Sequence, residues 1–218
     1  MLEETHLTHS EPAFVRVATR IREELITGRL SSGTALVEAE LVANHGVSRN
    51  TAREALRLLR EQGLVEHIPH RGVRVRRLGA REVSDIFNAR RTLEVAMLAC
   101  RKSPAGAARL AAMTECVERQ ERARDDENWQ TVGTDSLRFH QQIVALGDSQ
   151  ALNDLFTLII AQLRLVFASG RHEAAFQAPW VARDRQILDL LVAGQNRQAA
   201  DELADYLDQS EHVLLASL

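Results

Sequence analysis

Four guanidinium groups recur in the stretch GVSRNTAREALRLLREQGLV, residues 46–65, at Arg49, Arg53, Arg57 and Arg60. Steps of three and four residues place them along one side of a helix, with almost nothing acidic to balance them, while Ala52, Ala55, Leu56 and Leu59 fall on the other side. A guanidinium group is always charged, and its planar fork of donors fits two acceptors at once on a phosphate or on the edge of a guanine. Residues 47–77 hold eight Arg against three Glu, in a chain whose formal net charge is −3. Residues 1–78 sum to +2 and the remainder to −5, so the positive excess has the extent of a contact surface for a polyanion.

Positioning such a row needs a scaffold, and the flanking sequence supplies its signals. A helix over 13–27 is expected from Val17, Ile21 and Leu25, with Gly28 as its stop, and a shorter one over 38–44. Gly46 then turns the chain, Ser48 caps a third helix, Val47 and Ala52 staple its entry, and Gly63 ends it. LVEHI and VRVRR flank PHRG and read as a hairpin with Val73 and Val75 inward and Arg74 and Arg76 outward. The order is helix, helix, turn, helix, hairpin, as in a helix-turn-helix that lays its last helix in the major groove. Ser48, Arg49, Asn50, Thr51 and Arg53 then start the reading helix, and His70, Arg71 and Gly72 form the hairpin tip.

From Arg81 onward only helical periods remain, over about 81–101, 105–124, 129–147, 150–168, 177–193 and 196–216, with breaks at Ser103-Pro104, Gly133 or the 125–127 acidic run, Gly147, Ser169-Gly170 and Gly194. The expected fold is mainly α, with a small mixed domain over 1–78 joined at Leu78-Gly79 to an all-helical domain over 79–218. The composition, 45% hydrophobic and 4% aromatic, is that of a globular protein poor in β structure. Cys100 and Cys116 lack the spacing of a metal site and are expected to be reduced thiols in the core. No signal peptide is visible, and the apolar run 155–168 is too short to span a bilayer, so a cytoplasmic protein with no membrane partner is expected. Nucleophile motifs, phosphate-cradling Gly loops and HExxH are missing from the sequence, which argues against an enzyme.

The stretch IREELITGRLSSGTALVEAELVANHGVSRNTAREALRLLREQGLVEHIPHRGVRV resembles the winged helix-turn-helix of GntR-type bacterial transcription regulators over residues 14–77, through GRLSSGTALVEAELV, GVSR, REALR, GLV and RGV. The resemblance makes Arg49 and Arg53 the principal DNA contacts, supported by Ser48, Asn50, Thr51, His70, Arg71 and Gly72. Ser32 stands where the family usually has Pro, and Asn50-Thr51-Ala52 where Thr-Pro-Val is common; the departures bear on base preference. Residues 80–215 resemble the FCD effector domain of the FadR-type branch through IFNARRTLE, SLRFH, the LG turn before Asp148, RQILDLL and AADELADYL. That resemblance implies a homodimeric repressor on double-stranded DNA with an inverted-repeat operator, controlled by a small metabolite such as a carboxylate in the helical domain.

Many members of that branch hold a divalent metal with one Asp and three His. Here the four positions fall on Ser136, His140, Asp184 and Tyr206, with Asp135 one residue and about 100° out of place. Periodicity turns all four inward, His140 with Ser136 and Ile143, Asp184 with Ile187, Leu188 and Leu191, Tyr206 with Leu203 and Val213. An inward Asp184 demands a partner, and Arg90 joins the set as a candidate for a carboxylate ligand. Only His140 and Asp184 are left to hold a divalent metal, an incomplete ligand set, so no tightly held metal is expected, and one that did bind would use those two residues. Two other readings follow from the same residues: a helical enzyme using His140 and Asp184 as an acid–base pair, and a ligand-free architectural DNA-binding protein.

Overall fold

The computed structural model describes residues 11–101, 105–167 and 173–218. The expected breaks at Ser103-Pro104 and Ser169-Gly170 lie outside the described residues.

The chain begins with α1 (Ala13–Ile26), which buries Val17, Ala18, Ile21 and Leu25 against α3 (Arg49–Glu61). Between them lie β1 (Ala35–Leu36) and α2 (Glu38–His45), and after α3 come β2 (Val65–Ile68) and β3 (Gly72–Val75). The hairpin pairs Val65 with Val75 and Ile68 with Gly72, and β1 adds a third strand by pairing Leu36 with Val73. The two-residue β1 lies outside the expected helix and hairpin order; it exists because the free edge of β3 offers it partners.

The helical part runs α4 (Ala80–Arg90), a π-helical turn (Arg91–Val95), α5 (Ala96–Ala99), α6 (Ala107–Asp125), α7 (Trp129–Ala145), α8 (Gln150–Arg164), α9 (Glu173–Val192) and α10 (Asn196–Ala216). The helix expected over 81–101 is therefore broken by the π turn. α9 starts earlier than the expected 177 and carries Pro179 inside it, where Phe176, 5.1 Å from Phe167 and 6.4 Å from Trp180, anchors the turn before the proline. α7 is the central rod, packed on α6, α8, α9 and the π turn and buried nearly all round.

The two parts share one continuous apolar core. Polar bonds cross the seam: Gln130 donates to the Thr27 carbonyl at 2.7 Å, Gln162 to the Gln62 carbonyl at 2.9 Å, and Arg138 pairs with Glu23. Ser32 Oγ lies 2.7 Å from the carbonyl oxygens of both Arg76 and Leu165, so the residue that replaces the usual proline ties the sheet to the end of α8. Cys116 is buried, its thiol pushed up to about 11 by burial and by Asp135, whereas Cys100 is exposed at the end of α5 and is not the core thiol expected. Val213 is also exposed; the buried stripe of α10 drifts to Leu207, Ser210 and Leu214.

Candidate functional site

The exposed arginine face of α3 is built by local chemistry. Gly46 adopts a left-handed φ of 62° to end α2, and Ser48 Oγ accepts the Thr51 N–H at 3.1 Å to start α3. With Ala52, Ala55, Leu56 and Leu59 buried, Arg49, Asn50, Arg53, Arg57 and Arg60 are left exposed on the opposite face. The arginine row is less free of acidic partners than the sequence suggested. Arg53 Nε donates to both carboxylate oxygens of Glu38, at 3.2 and 2.9 Å, and Arg57 Nε to Glu61 at 3.0 Å. Both pairs are solvated, with Arg53 66% and Arg57 72% exposed, so they hold the arginines weakly and leave them facing solvent. The hairpin tip stands beyond, with His70 at φ 62° and Gly72 at φ 76° turning the chain and His70 and Arg71 exposed. Arg53, Arg57, Arg60 and His67 line a groove between α3 and the hairpin. Arg74 and Arg76 do not point freely outward: Arg74 donates to the Gly33 carbonyl and Arg76 to that of Gly63, both at 3.0 Å.

The second set converges inside the helical part. From α4 and the π turn come Arg90 and Glu94, from α6 Gln120, from α7 Ser136 and His140, from α9 Trp180 and Asp184, and from α10 Tyr206, each buried. Arg90 Nε donates to Glu94 at 2.7 Å, and the other Glu94 oxygen lies 2.5 Å from His140 Nδ1. Burial alone would raise the pKa of Glu94, but Arg90 and His140 beside it hold it below the usual carboxylate range. Burial likewise disfavours a charged His140, and the facing Glu94 outweighs it, so His140 is held above its ordinary value and tends to carry its proton. Burial and the neighbouring Asp184 raise the Tyr206 hydroxyl, which stays neutral 3.5 Å from Ser136 Oγ. Gln120 donates to Asp184 Oδ2 at 2.8 Å, while Asp184 Oδ1 and His140 Nε2 face each other across 3.6 Å, too far for a hydrogen bond. Among the described residues, those two atoms, Gln120 Oε1, Arg90 Nη2 and Trp180 Nε1 are buried without a hydrogen-bond partner.

Comparison with known proteins gives the family. Residues 14–75 match the model of bacterial regulatory proteins of the gntR family, and residues 85–209 match the FCD domain. The chain belongs to the GntR family. An uncharacterized HTH-type transcriptional regulator in an unstable DNA locus of Streptomyces ambofaciens is 31% identical over 178 residues, covering 80% of this chain and 73% of that one. The HTH-type transcriptional repressor RspR of Escherichia coli is 25% identical over 198 residues, 90% of this chain and 85% of its own. A solved structure of a GntR transcriptional regulator from Rhodococcus sp. RHA1, 32% identical, superposes with a TM-score of 0.85 over 94% of this chain and 98% of that one. This GntR regulator is thus a DNA-binding transcription regulator with an FCD domain, and its family is not one of enzymes. No described helix is long and apolar enough to cross a membrane.

In this GntR regulator the four positions of the family's metal ligands do meet: Ser136 reaches Tyr206, the His140 and Tyr206 rings lie 5.0 Å apart, and His140 faces Asp184. Their chemistry does not fit a metal. Ser136 and Tyr206 are neutral hydroxyls, His140 Nδ1 is occupied by Glu94, and no group of three or more His, Cys, Asp or Glu able to hold an ion is found among the described residues. His140 Nε2 and Asp184 Oδ1 alone fall short of the three or four ligands of a stable transition-metal site. Asp135, one residue out of register, points elsewhere and lies 2.7 Å from Arg119.

Sequence reasoning missed Glu38, Glu94, Gln120 and Trp180. Glu94 had a signal in its i, i+4 spacing from Arg90, and the two form a buried pair that occupies part of Arg90. Gln120 lies on the inward stripe of Met113, Cys116 and Val117. Glu38 and Trp180 become partners only once α2 meets α3 and α9 meets α10.

Proposed function

We propose that this regulator acts in the cytoplasm as a homodimer on an inverted-repeat operator, and that a small metabolite in the helical part controls its hold on DNA. The division into a reading unit over 1–78 and a sensing, dimerising unit over 79–218 follows the change from mixed to all-helical structure. In the reading unit Arg49 and Arg53 address base edges, Ser48, Asn50 and Thr51 set the start of α3 on the backbone, and His70, Arg71 and Gly72 reach the adjacent groove. In the sensing unit Arg90, Ser136, His140, Asp184 and Tyr206 line the effector site, and the family's preference for carboxylates would use Arg90 Nη2.

The observation that carries the sensing role is the set of buried polar atoms without partners around Asp184. Such atoms cost stability unless something satisfies them, and a site kept at that cost is a site for a ligand. The test is selection of bound sequences from a random DNA pool, followed by gel shift with a metabolite panel. An enriched inverted repeat whose retention one metabolite changes supports the reading; an architectural protein would enrich no motif and respond to none.

A further inference from the structure

Gly133 is not a break in the chain. It lies buried in the second turn of α7, where a helix interior gains nothing from a glycine, and the break falls at the acidic run before Trp129. What packs against Gly133 explains the residue. A Cβ there would collide with the Arg164 guanidinium and come within 2.6 Å of Gln177 Nε2. On another side of the same guanidinium stands Gly28, just past the C-cap of α1, where a Cβ would collide with it again. Arg164, only 7% exposed at the end of α8, thus passes between a glycine of the reading unit and a glycine of the sensing unit. Its Nη2 lies 3.5 Å from the Gln130 carbonyl, and its charge sits at the negative end of the α1 dipole.

The neighbours of Arg164 hold the same unit. Gln162 donates at 2.9 Å to the carbonyl of Gln62, the C-cap of α3, and the Leu165 carbonyl accepts from Ser32 at 2.7 Å. One turn at the end of α8 therefore grips the ends of both α1 and α3 and the turn that leads into β1. A single hydrogen bond leaves its two partners free to swing about it. A planar group wedged between two backbones in a close-packed seam fixes an angle.

We propose that Arg164 is a positioning residue for operator reading: its guanidinium, seated between Gly28 and Gly133, fixes the angle of α3 on the helical part. In the dimer proposed above, that angle sets the separation of the two reading helices. One base pair added between half-sites moves one of them by about 3.4 Å and turns it by about 35°. Arg164 is then what makes this regulator strict about half-site spacing.

The experiment compares the full chain with Gly133→Ala, which pushes aside the far end of a flexible side chain, and with Arg164→Met, which keeps apolar bulk and removes the guanidinium. Gly106→Ala, where a Cβ meets nothing, is the control. Hydrogen exchange is followed by mass spectrometry over residues 24–31, and operator affinity is measured on the sequence selected from random DNA and on copies with one base pair added to or removed from the spacer. In both variants, exchange over 24–31 is expected to quicken about tenfold, with the protein otherwise protected as before. Wild type and the control should lose about tenfold in affinity when the spacer changes, the two variants less than about threefold. The double variant should be no worse than either single one, because both remove the same wedge. Unchanged exchange in both variants, or quickened exchange with the spacing preference intact, overturns the proposal. The exchange measurement uses no DNA, so it decides the role of Arg164 even if no inverted repeat is selected and the dimer reading fails.

Discussion

Arg53 with Glu38 and Arg90 with Glu94 are the same pair of side chain types at nearly the same distance, 2.9 and 2.7 Å, in two very different settings. The first pair is 66% and 41% exposed, so water competes for both partners and the bond can be traded for a phosphate or a base edge. The second is 3% and 0% exposed, and neither partner can be removed without stranding a charge in the core. An arginine at the surface is held loosely and stays available. An arginine inside the helical part is locked.

Breaking the locked pair should have the largest effect. Glu94→Ala leaves Arg90 and His140 buried without their carboxylate and is expected to lower unfolding stability by about 3–5 kcal/mol in urea titration; a change as small as that of a surface pair would place the cluster in contact with water. Arg49→Ala and Arg53→Ala are expected to lower operator affinity by about 1–3 kcal/mol each while leaving the melting curve in place. Unchanged gel shifts for both would remove α3 from the interface.

Glu38→Ala sharpens the comparison further. Deleting a negative charge near DNA should help binding if charge is all that matters, yet Glu38 orients Arg53 through both carboxylate oxygens. The expected outcome is a severalfold loss in operator affinity with unchanged or tighter binding to random DNA, measured by anisotropy, so that the specificity ratio falls.

The locked cluster also fixes a pH window. Glu94, with a lowered folded pKa, contributes stability above its ordinary value that is lost as pH falls through the folded one. His140, with a raised folded pKa, contributes stability below its ordinary value that is lost as pH rises through the folded one. Stability is expected to peak between the ordinary Glu and His values, and His140→Gln should flatten the alkaline side of the profile in denaturation series. The smallest effect belongs to the seam: Ser32→Ala removes a half-buried hydroxyl shared between two carbonyls and should cost about 1 kcal/mol in the same assay.

Elements set by local chemistry were legible in the sequence. The Gly46 turn, the Ser48 cap, the apolar underside of α3 and the hairpin all depend on residues within a few positions of one another. The inward positions of Ser136, His140, Asp184 and Tyr206 were legible from helical period. What escaped was decided at a distance. β1 needs the edge of β3, the π turn interrupts a period that reads as continuous, and Glu38 meets Arg53 only across fifteen residues of chain. Cys100 was misplaced because helical period says nothing of where a helix runs out of neighbours.

α7 presents His140 and Ser136 to the cluster, and its Gln130 and Arg138 to α1. One stiff helix therefore carries both addresses, and a tilt imposed at its inner surface arrives at α1, the support of α3, with no loop in between to absorb it. Under the metabolite control and dimer proposed above, the message to the operator would travel as a lever stroke, read out in the distance between the two reading heads.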